Sequence, residues 1–168
     1  MSKQVFAFGS NMCSARFRDY GVTPEGEGRA AKLPGYRLAF NKPSRDGSGK
    51  ATLLPEQDAW VWGVLYTIAD ADLETLDRGE GPGYARLPLT VRLADCSTTT
   101  AWVYLASRPS NDPSLRPYTW YKEFLVAGAR EHDLPAEYIA NLERIEATQD
   151  SDGQRDREKR ALVCRVVP

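Results

Sequence analysis

Histidine is almost absent from this sequence of 168 residues, which contains only His132. A triad of Ser, His and Asp or of Cys, His and Asn needs a histidine as its base, and His132 lies at the polar end of a predicted helix, where it offsets the helix dipole. Paired histidines and closely spaced cysteine pairs are missing, as are phosphate-loop and dinucleotide glycine patterns. The sequence therefore predicts neither a metal nor another cofactor.

Cysteine and long apolar runs are also scarce. Cys13, Cys96 and Cys164 are odd in number and far apart, which indicates free thiols in a reducing compartment. No stretch approaches the ~20 apolar residues of a membrane helix, and residues 1–4 lead directly into a strand with no apolar leader. We therefore expect a cytoplasmic protein.

The sequence has no large excess of charge of either sign, since its formal net charge is -1. Lys and Arg alternate with acidic residues throughout, which gives no attraction to nucleic acid or to an anionic membrane. Segment 42–50 contains three cations, but it has no interleaved aromatic residues for base stacking and is typical of a solvated loop. We expect neither a nucleic-acid nor a membrane partner.

The pattern of apolar residues predicts one domain with a sheet of about six strands and several helices. The predicted strands cover residues 5–8, 37–41, 51–54, 60–66, 84–93 and 98–105. The predicted helices cover residues 13–20, 69–76, 121–131 and 135–145. After Thr148 the chain is almost wholly polar up to Arg160, and residues 161–167 are again apolar and β-prone. This change divides the chain into a domain, 1–147, and a tail, 148–168, made of a polar linker and a strand.

A short buried strand near the start of the chain ends in Gly9, Ser10 and Asn11. These residues favour a tight turn, and successive bare amides in such a turn form a donor site for a carboxylate or an oxyanion. The alternative is an ordinary turn after a strand.

Glu80 is the second candidate for a functional residue. Three glycines and a proline surround it, which predicts that the preceding helix ends near Asp77 and that Glu80 lies in a loop. A single carboxylate can act as a general base when the substrate brings its own nucleophile, such as an amine. The alternative is a surface turn residue.

Both features match known motifs. Residues 6–12, Phe-Ala-Phe-Gly-Ser-Asn-Met, resemble the Y-G-S-N-L signature of the γ-glutamylcyclotransferase-like (AIG2-like) superfamily, with Phe8 in place of Tyr and Met12 in place of Leu. Residues 62–66 resemble its central strand, and residues 76–81, Leu-Asp-Arg-Gly-Glu-Gly, resemble its L-D-x-x-E-G motif. The resemblance covers roughly residues 4–147.

The resemblance implies a mixed α/β fold with a small, closed or nearly closed β-barrel and flanking helices. It implies a cofactor-free enzyme in which the α-amine of a γ-glutamyl group attacks its own γ-carbonyl and releases 5-oxoproline and an amino acid or amine. Glu80 would be the general base. The residues implied to bind substrate are Phe8, Gly9, Ser10, Asn11, Met12, Tyr84, Tyr104 and Tyr121.

Three alternatives stay open at this point. The tyrosines could equally be core residues with paired hydroxyls. The substrate could be a γ-glutamyl peptide, an amine, an isopeptide or a biosynthetic intermediate, and the loops at 42–50 and 108–117 would select it. A non-catalytic binding module could share the fold. The resemblance does not decide whether the chain forms a homodimer.

Overall fold

Five β-strands close into a small barrel in the computed structural model, which describes residues 1–163. The strands are β1 Ser2–Ala7, β2 Arg29–Pro43, β3 Gly49–Ala69, β4 Tyr84–Leu93 and β5 Thr98–Ala106. Their order around the barrel is β1-β3-β2-β4-β5. A ring with an odd number of strands cannot alternate in direction throughout, and the one parallel junction joins β1 to β5, where Val5 lies opposite Trp102.

The mixed α/β barrel fold is confirmed, but its strand number is five rather than about six. The predicted strands 51–54 and 60–66 are two parts of β3. Strand β2 pairs with both parts, with Leu38 opposite Leu53 and Leu33 opposite Val61. The register shifts between these pairs, where Gly35 and Asp58 have φ values of 81° and 64°. The residues between the two predicted strands therefore bend the long β2–β3 hairpin but do not interrupt strand β3.

Helices cover the outside of the barrel and follow the predicted order. A 3₁₀ turn, Ser10–Met12, leads from β1 into the helices α1 Ser14–Asp19, α2 Asp72–Glu80, α3 Thr119–Glu131, α4 Ala136–Glu143 and α5 Gly153–Val163. Among residues 1–163, no helix is both long enough and apolar enough to cross a membrane.

Helix α3 fixes the position of the 3₁₀ turn. Its predicted apolar face, from Tyr121 to Ala129, is buried. A Cβ atom on Gly128 would lie 2.3 Å from the backbone carbon of Met12 and 2.4 Å from the backbone nitrogen of Cys13. The two backbones touch, because this position has no side chain to separate them.

Helix α2 is longer than predicted, since it continues to Glu80. A glycine in the last turn costs a helix only about 1 kcal/mol, and Gly79 allows the ring of Tyr20 to pack where a Cβ atom would lie 2.8 Å from Cγ of Tyr20. The helix ends at Gly81, which has a φ of 78° that favours glycine. The prediction that Glu80 lies in a loop was therefore wrong.

The interpretation of residues 148–160 as a solvated linker was also wrong, because helix α5 covers Gly153–Val163. The Asp152 carboxylate caps this helix by accepting hydrogen bonds from the N–H groups of Gln154 and Arg155, at 3.1 and 3.0 Å. Its polar side chains bind neighbouring elements, as when Arg160 donates to Thr119 at 2.8 Å. Of the predicted terminal strand, residues 161–163 are helical and the rest lies outside the described residues.

Candidate active site

A cavity lies where β1 ends and runs into the 3₁₀ turn. Seven elements besides the turn contribute to its wall: β1, α1, the start of β3, the end of α2, the start of β4, β5 and α3. Its lining residues are Val5, Phe6, Ala7, Phe8, Gly9, Ser10, Asn11, Phe17, Ala51, Glu80, Tyr84, Tyr104 and Tyr121. The structure therefore brings together every predicted site residue except Met12.

Glu80 reaches this cavity from the last position of α2, and its side chain is half-buried. The side-chain amide of Asn11 donates a hydrogen bond to Oε1 of Glu80. Burial raises the pKa of Glu80 to about 7, although the positive charge of Arg16 and the hydrogen bond from Asn11 act in the opposite direction. Near neutral pH the Glu80 carboxyl can therefore both accept and return a proton.

The 3₁₀ turn and Gly9 before it line the same cavity. Among residues 1–163, the backbone N–H groups of Gly9, Ser10 and Asn11 have no hydrogen-bond acceptor, as is usual for the first residues of a helical turn. The backbone of Gly9 is not left-handed, since its φ is -109°. A Cβ atom there would lie 3.1 Å from Cβ of Ala51 and 3.2 Å from the Tyr121 hydroxyl. Glycine at this position therefore permits close approach rather than an unusual φ.

Met12 differs from the prediction. Its side chain is fully buried in the core, and its backbone N–H donates to the carbonyl of Gly9 at 3.1 Å. Because this amide already closes the 3₁₀ turn, it has no donor left for a substrate oxygen. Phe8, by contrast, is buried and contributes its apolar ring to the cavity wall.

The three predicted tyrosines line the cavity, and each of their hydroxyls has a protein partner. Tyr84 donates to the carbonyl of Ala51 at 2.9 Å, and Tyr104 donates to Asp77 at 2.6 Å. Tyr121 instead accepts a hydrogen bond from the N–H of Ala51 at 3.1 Å. Because the Tyr121 oxygen is the acceptor, its own proton is not used in the bond with Ala51.

Two contributors to the site were missed in the sequence. Ala51 holds two tyrosine hydroxyls through its backbone, and its residue type carries no signal of this role. Arg16 lies in α1, and its positive charge opposes the rise in the pKa of Glu80. The sequence did contain one indication of this role, because Arg16 is a cation only four positions after the Gly-Ser-Asn-Met turn.

His132 lies away from this cavity. It follows α3, with Nδ1 3.0 Å from the carbonyl oxygen of Gly128 and Nε2 3.3 Å from the hydroxyl of Tyr66. The tyrosine hydroxyl donates in turn to the carbonyl of Met12 at 2.7 Å. The histidine therefore contacts the helix end and the core, as expected for a residue outside the chemistry.

Solved structures with this architecture define the class of fold. A structure described as a γ-glutamyl cyclotransferase superposes with a TM-score of 0.84 at 26% identity and covers 98% of this chain and 99% of its own. A structure of an uncharacterised protein from Homo sapiens gives a TM-score of 0.82 at 27% identity and covers 97% of this chain and 98% of its own. The chain has the γ-glutamylcyclotransferase-like fold.

Sequence comparison narrows this class to a family. The model of the AIG2-like family matches residues 60–142. γ-Glutamylcyclotransferase from Bos taurus is 30% identical over 156 residues, which cover 84% of this chain and 77% of the relative. The enzyme of the same name from Homo sapiens is 28% identical over 149 residues, with the same coverage. The chain belongs to the γ-glutamylcyclotransferase family of enzymes.

Proposed function

We propose that this protein is a γ-glutamyl cyclotransferase that needs no cofactor and uses Glu80 as its general base. The α-amine nitrogen of a γ-glutamyl group forms a bond to its own γ-carbonyl carbon, and the bond from that carbon to the leaving nitrogen breaks. The products are 5-oxoproline and the amino acid or amine that was attached. Ring closure within one substrate depends mainly on positioning, which a preformed pocket supplies.

The observation that carries this proposal is the raised pKa of Glu80, about 7, in a cavity shared with free backbone amides. An ordinary glutamate is too weak a base to take a proton from an ammonium or an attacking amine at neutral pH. Glu80 accepts the proton that the α-amine loses and then donates it to the leaving nitrogen. Glu80 alone can therefore carry the proton from the α-amine to the leaving nitrogen, and no other titratable group is required.

The amides of Gly9, Ser10 and Asn11 stabilise negative charge on the substrate. Because they have no acceptor among residues 1–163, they can bind the oxyanion that forms at the γ-carbonyl or the α-carboxylate of the glutamyl group. The free proton of Tyr121 is a further donor within the same wall. In addition, Oδ1 of Asn11 is buried, has no hydrogen-bond partner among residues 1–163, and can accept a hydrogen bond from the α-amine.

The site does not by itself distinguish a γ-glutamyl peptide from a γ-glutamyl amine, so the substrate panel must include both. The cytoplasmic location stays a prediction from the cysteine content, and so does the absence of a nucleic-acid or membrane partner.

The test of this function is detection of 5-oxoproline by mass spectrometry after incubation with γ-glutamyl dipeptides and γ-glutamyl amines. Glu80→Gln preserves the shape of the side chain but removes the base, and we expect a loss of turnover of at least about 100-fold. Glu74→Gln is the matched control, because Glu74 is exposed on the same helix. Activity of Glu80→Gln within a few-fold of wild type would exclude Glu80 as the base.

A further inference from the structure

A second, open cavity adjoins the candidate active site. Its volume is about 650 Å³, and it shares the walls formed by Tyr84 and Tyr104 with the first cavity. The rest of its lining is Asp77, Arg78, Gly81, Pro82 and Arg86. Asp77 and Gly81 flank Glu80 in the chain, so this space lies next to the proposed base. A group attached to the γ-carbonyl can extend into it.

Arg86 lines this cavity, and its guanidinium has donor capacity beyond its ion pair with Asp77. Its guanidinium packs over the ring of Trp102, 4.8 Å from the centroid, and its Nη1 lies 3.4 Å from Oδ2 of Asp77. Nη1 is buried without a hydrogen-bond partner among residues 1–163. A guanidinium has five N–H donors, and the other oxygen of Asp77 already accepts from Tyr104.

Positive charge exceeds negative charge around this cavity. Arg78 lines it and donates to Thr75 at 3.0 Å, and within residues 1–163 it has no ion-pair partner. The ammonium of Lys42 lies 5.2 Å from the centroid of the Tyr84 ring, and no carboxylate of the described chain is within ion-pair distance. Three cations therefore lie in or beside this cavity near two carboxylates, Asp77 and Glu80, and two of the cations, Arg78 and Lys42, have no ion-pair partner among residues 1–163.

We propose that the leaving group of the preferred substrate is an acidic amino acid, glutamate or aspartate, bound in this second cavity with Arg86 as the main contact of its side-chain carboxylate. A neutral leaving amino acid brings one carboxylate, whereas an acidic one brings two, the number of cations here that have no ion-pair partner among residues 1–163. Arg86 presents a planar fork of donors that suits a carboxylate. This inference rests on the proposed function and names its substrate class.

The test compares γ-glutamyl-glutamate with γ-glutamyl-glutamine, which have almost the same shape and differ by one charge. We expect wild-type kcat/KM to be at least about 10-fold higher for the glutamate dipeptide, since hydrogen bonds to a charged group contribute this much. The preference should decrease in high salt because part of it is Coulombic. Equal kcat/KM for the two dipeptides would overturn the inference.

Variants of the arginines assign the preference to this cavity. Arg86→Gln should lower kcat/KM more for γ-glutamyl-glutamate than for γ-glutamyl-glutamine, and Arg86→Lys should retain part of the preference. Arg92→Gln is the control, because Arg92 is exposed further along β4. If Arg86→Gln folds poorly, the exposed Arg78 serves in its place, and Arg78→Gln should lower the preference by a smaller factor. A preference that survives both substitutions would contradict the assignment.

The same assay separates this inference from the proposed function when γ-glutamyl-alanine is added to the panel. Release of 5-oxoproline from γ-glutamyl-alanine, with no preference for the acidic dipeptide, overturns only the inference about the second cavity. Release from γ-glutamyl amines alone also overturns only this inference, whereas no release from the three dipeptides or from the amines, by protein shown to be folded, overturns the proposed function and this inference with it.

Discussion

Glu80 combines two properties that oppose each other, burial and charge. Folding removes water from its carboxyl, which disfavours the ionised form and raises the pKa. Arg16 and Asn11 favour the ionised form and offset part of this rise. The pKa of about 7 is the balance between these effects. A single residue can therefore take a proton in one step and return it in the next, and the cavity needs no histidine for this exchange.

The same balance predicts how stability changes with pH. Because the pKa of Glu80 is about 7 in the folded protein and near 4.5 when unperturbed, the folded state binds the proton more tightly. The stability that this residue contributes is present below pH 4.5 and is lost as the pH rises through about 7. Glu80→Gln does not titrate, so at pH 8 it should be more stable than wild type by on the order of 1–3 kcal/mol, relative to their difference at pH 4.5.

Urea unfolding of both proteins between pH 4.5 and pH 8 measures this difference. Glu74→Gln provides the baseline, because it makes the same chemical change at an exposed position of the same helix. A difference between Glu80→Gln and wild type that stays constant across this range would show that the pKa of Glu80 is not raised.

At the scale of elements, the position of the 3₁₀ turn depends on direct contact with α3. An alanine at Gly128 favours the helix by about 1 kcal/mol, but its Cβ atom would lie 2.3 Å from the backbone of Met12. The contact is with backbone, which cannot rotate away, so the clash outweighs the gain in helix propensity.

We therefore expect Gly128→Ala to destabilise the protein by about 1–3 kcal/mol and to lower turnover, because the turn that carries Gly9, Ser10 and Asn11 must move. Thermal unfolding and the 5-oxoproline assay measure the two effects. Gly153→Ala in α5 is the control, since the nearest atom to its Cβ position is 3.4 Å away on the flexible side chain of Arg157. Full stability and activity of Gly128→Ala would show that the turn does not depend on this contact.

The elements also show what the sequence could predict. Strand β1, helix α3 and the buried face of α3 were predicted because local apolar periodicity specifies them. The length of α2 was not, because Gly79 is explained only by the ring of Tyr20, which is distant in sequence. The union of two predicted strands into β3 likewise depends on pairing with β2, which no local pattern encodes.

The candidate site was predictable to a similar extent. The motifs around Gly9 and Glu80 gave residues that the fold brings into one cavity, and the three tyrosines line it too. The core position of Met12 and the backbone role of Ala51 could not be predicted. Both depend on which partners the backbone N–H and carbonyl groups of these residues reach in the folded chain. Such details follow from the backbone path rather than from residue type.

At the scale of the whole molecule, α3 connects the candidate site to α5. One side of α3 contributes Tyr121 to the cavity, and the neighbouring Trp120 is buried and donates from its indole to Asp150 at 2.8 Å. Asp150 is buried and also accepts two hydrogen bonds from Arg155, each at 2.6 Å. A segment that is polar in sequence therefore supports the helix that carries a tyrosine of the cavity.

Deletion of residues 149–168 should consequently destabilise the domain, although none of the described residues of this segment, 149–163, lines the cavity. The deletion removes Asp150, the hydrogen-bond acceptor of the Trp120 indole, and exposes part of this buried side chain. Complete burial of a large apolar side chain stabilises a fold by roughly 1.5–3 kcal/mol. The deletion also removes Arg160, the ion-pair partner of Glu123 on α3. We expect a lower melting temperature, and lower activity at temperatures where the wild type is still folded.

The control for this deletion is Arg157→Ala, because Arg157 is exposed on α5 and its loss should leave both readouts unchanged. Asp150→Asn separates the buried network from the rest of the helix. It weakens the contacts with Trp120 and Arg155 while α5 remains, so it should reproduce part of the loss of stability. A truncated protein that melts at the wild-type temperature would show that α3 holds Tyr121 in the cavity without help from α5, and that stability and site geometry both reside within residues 1–148.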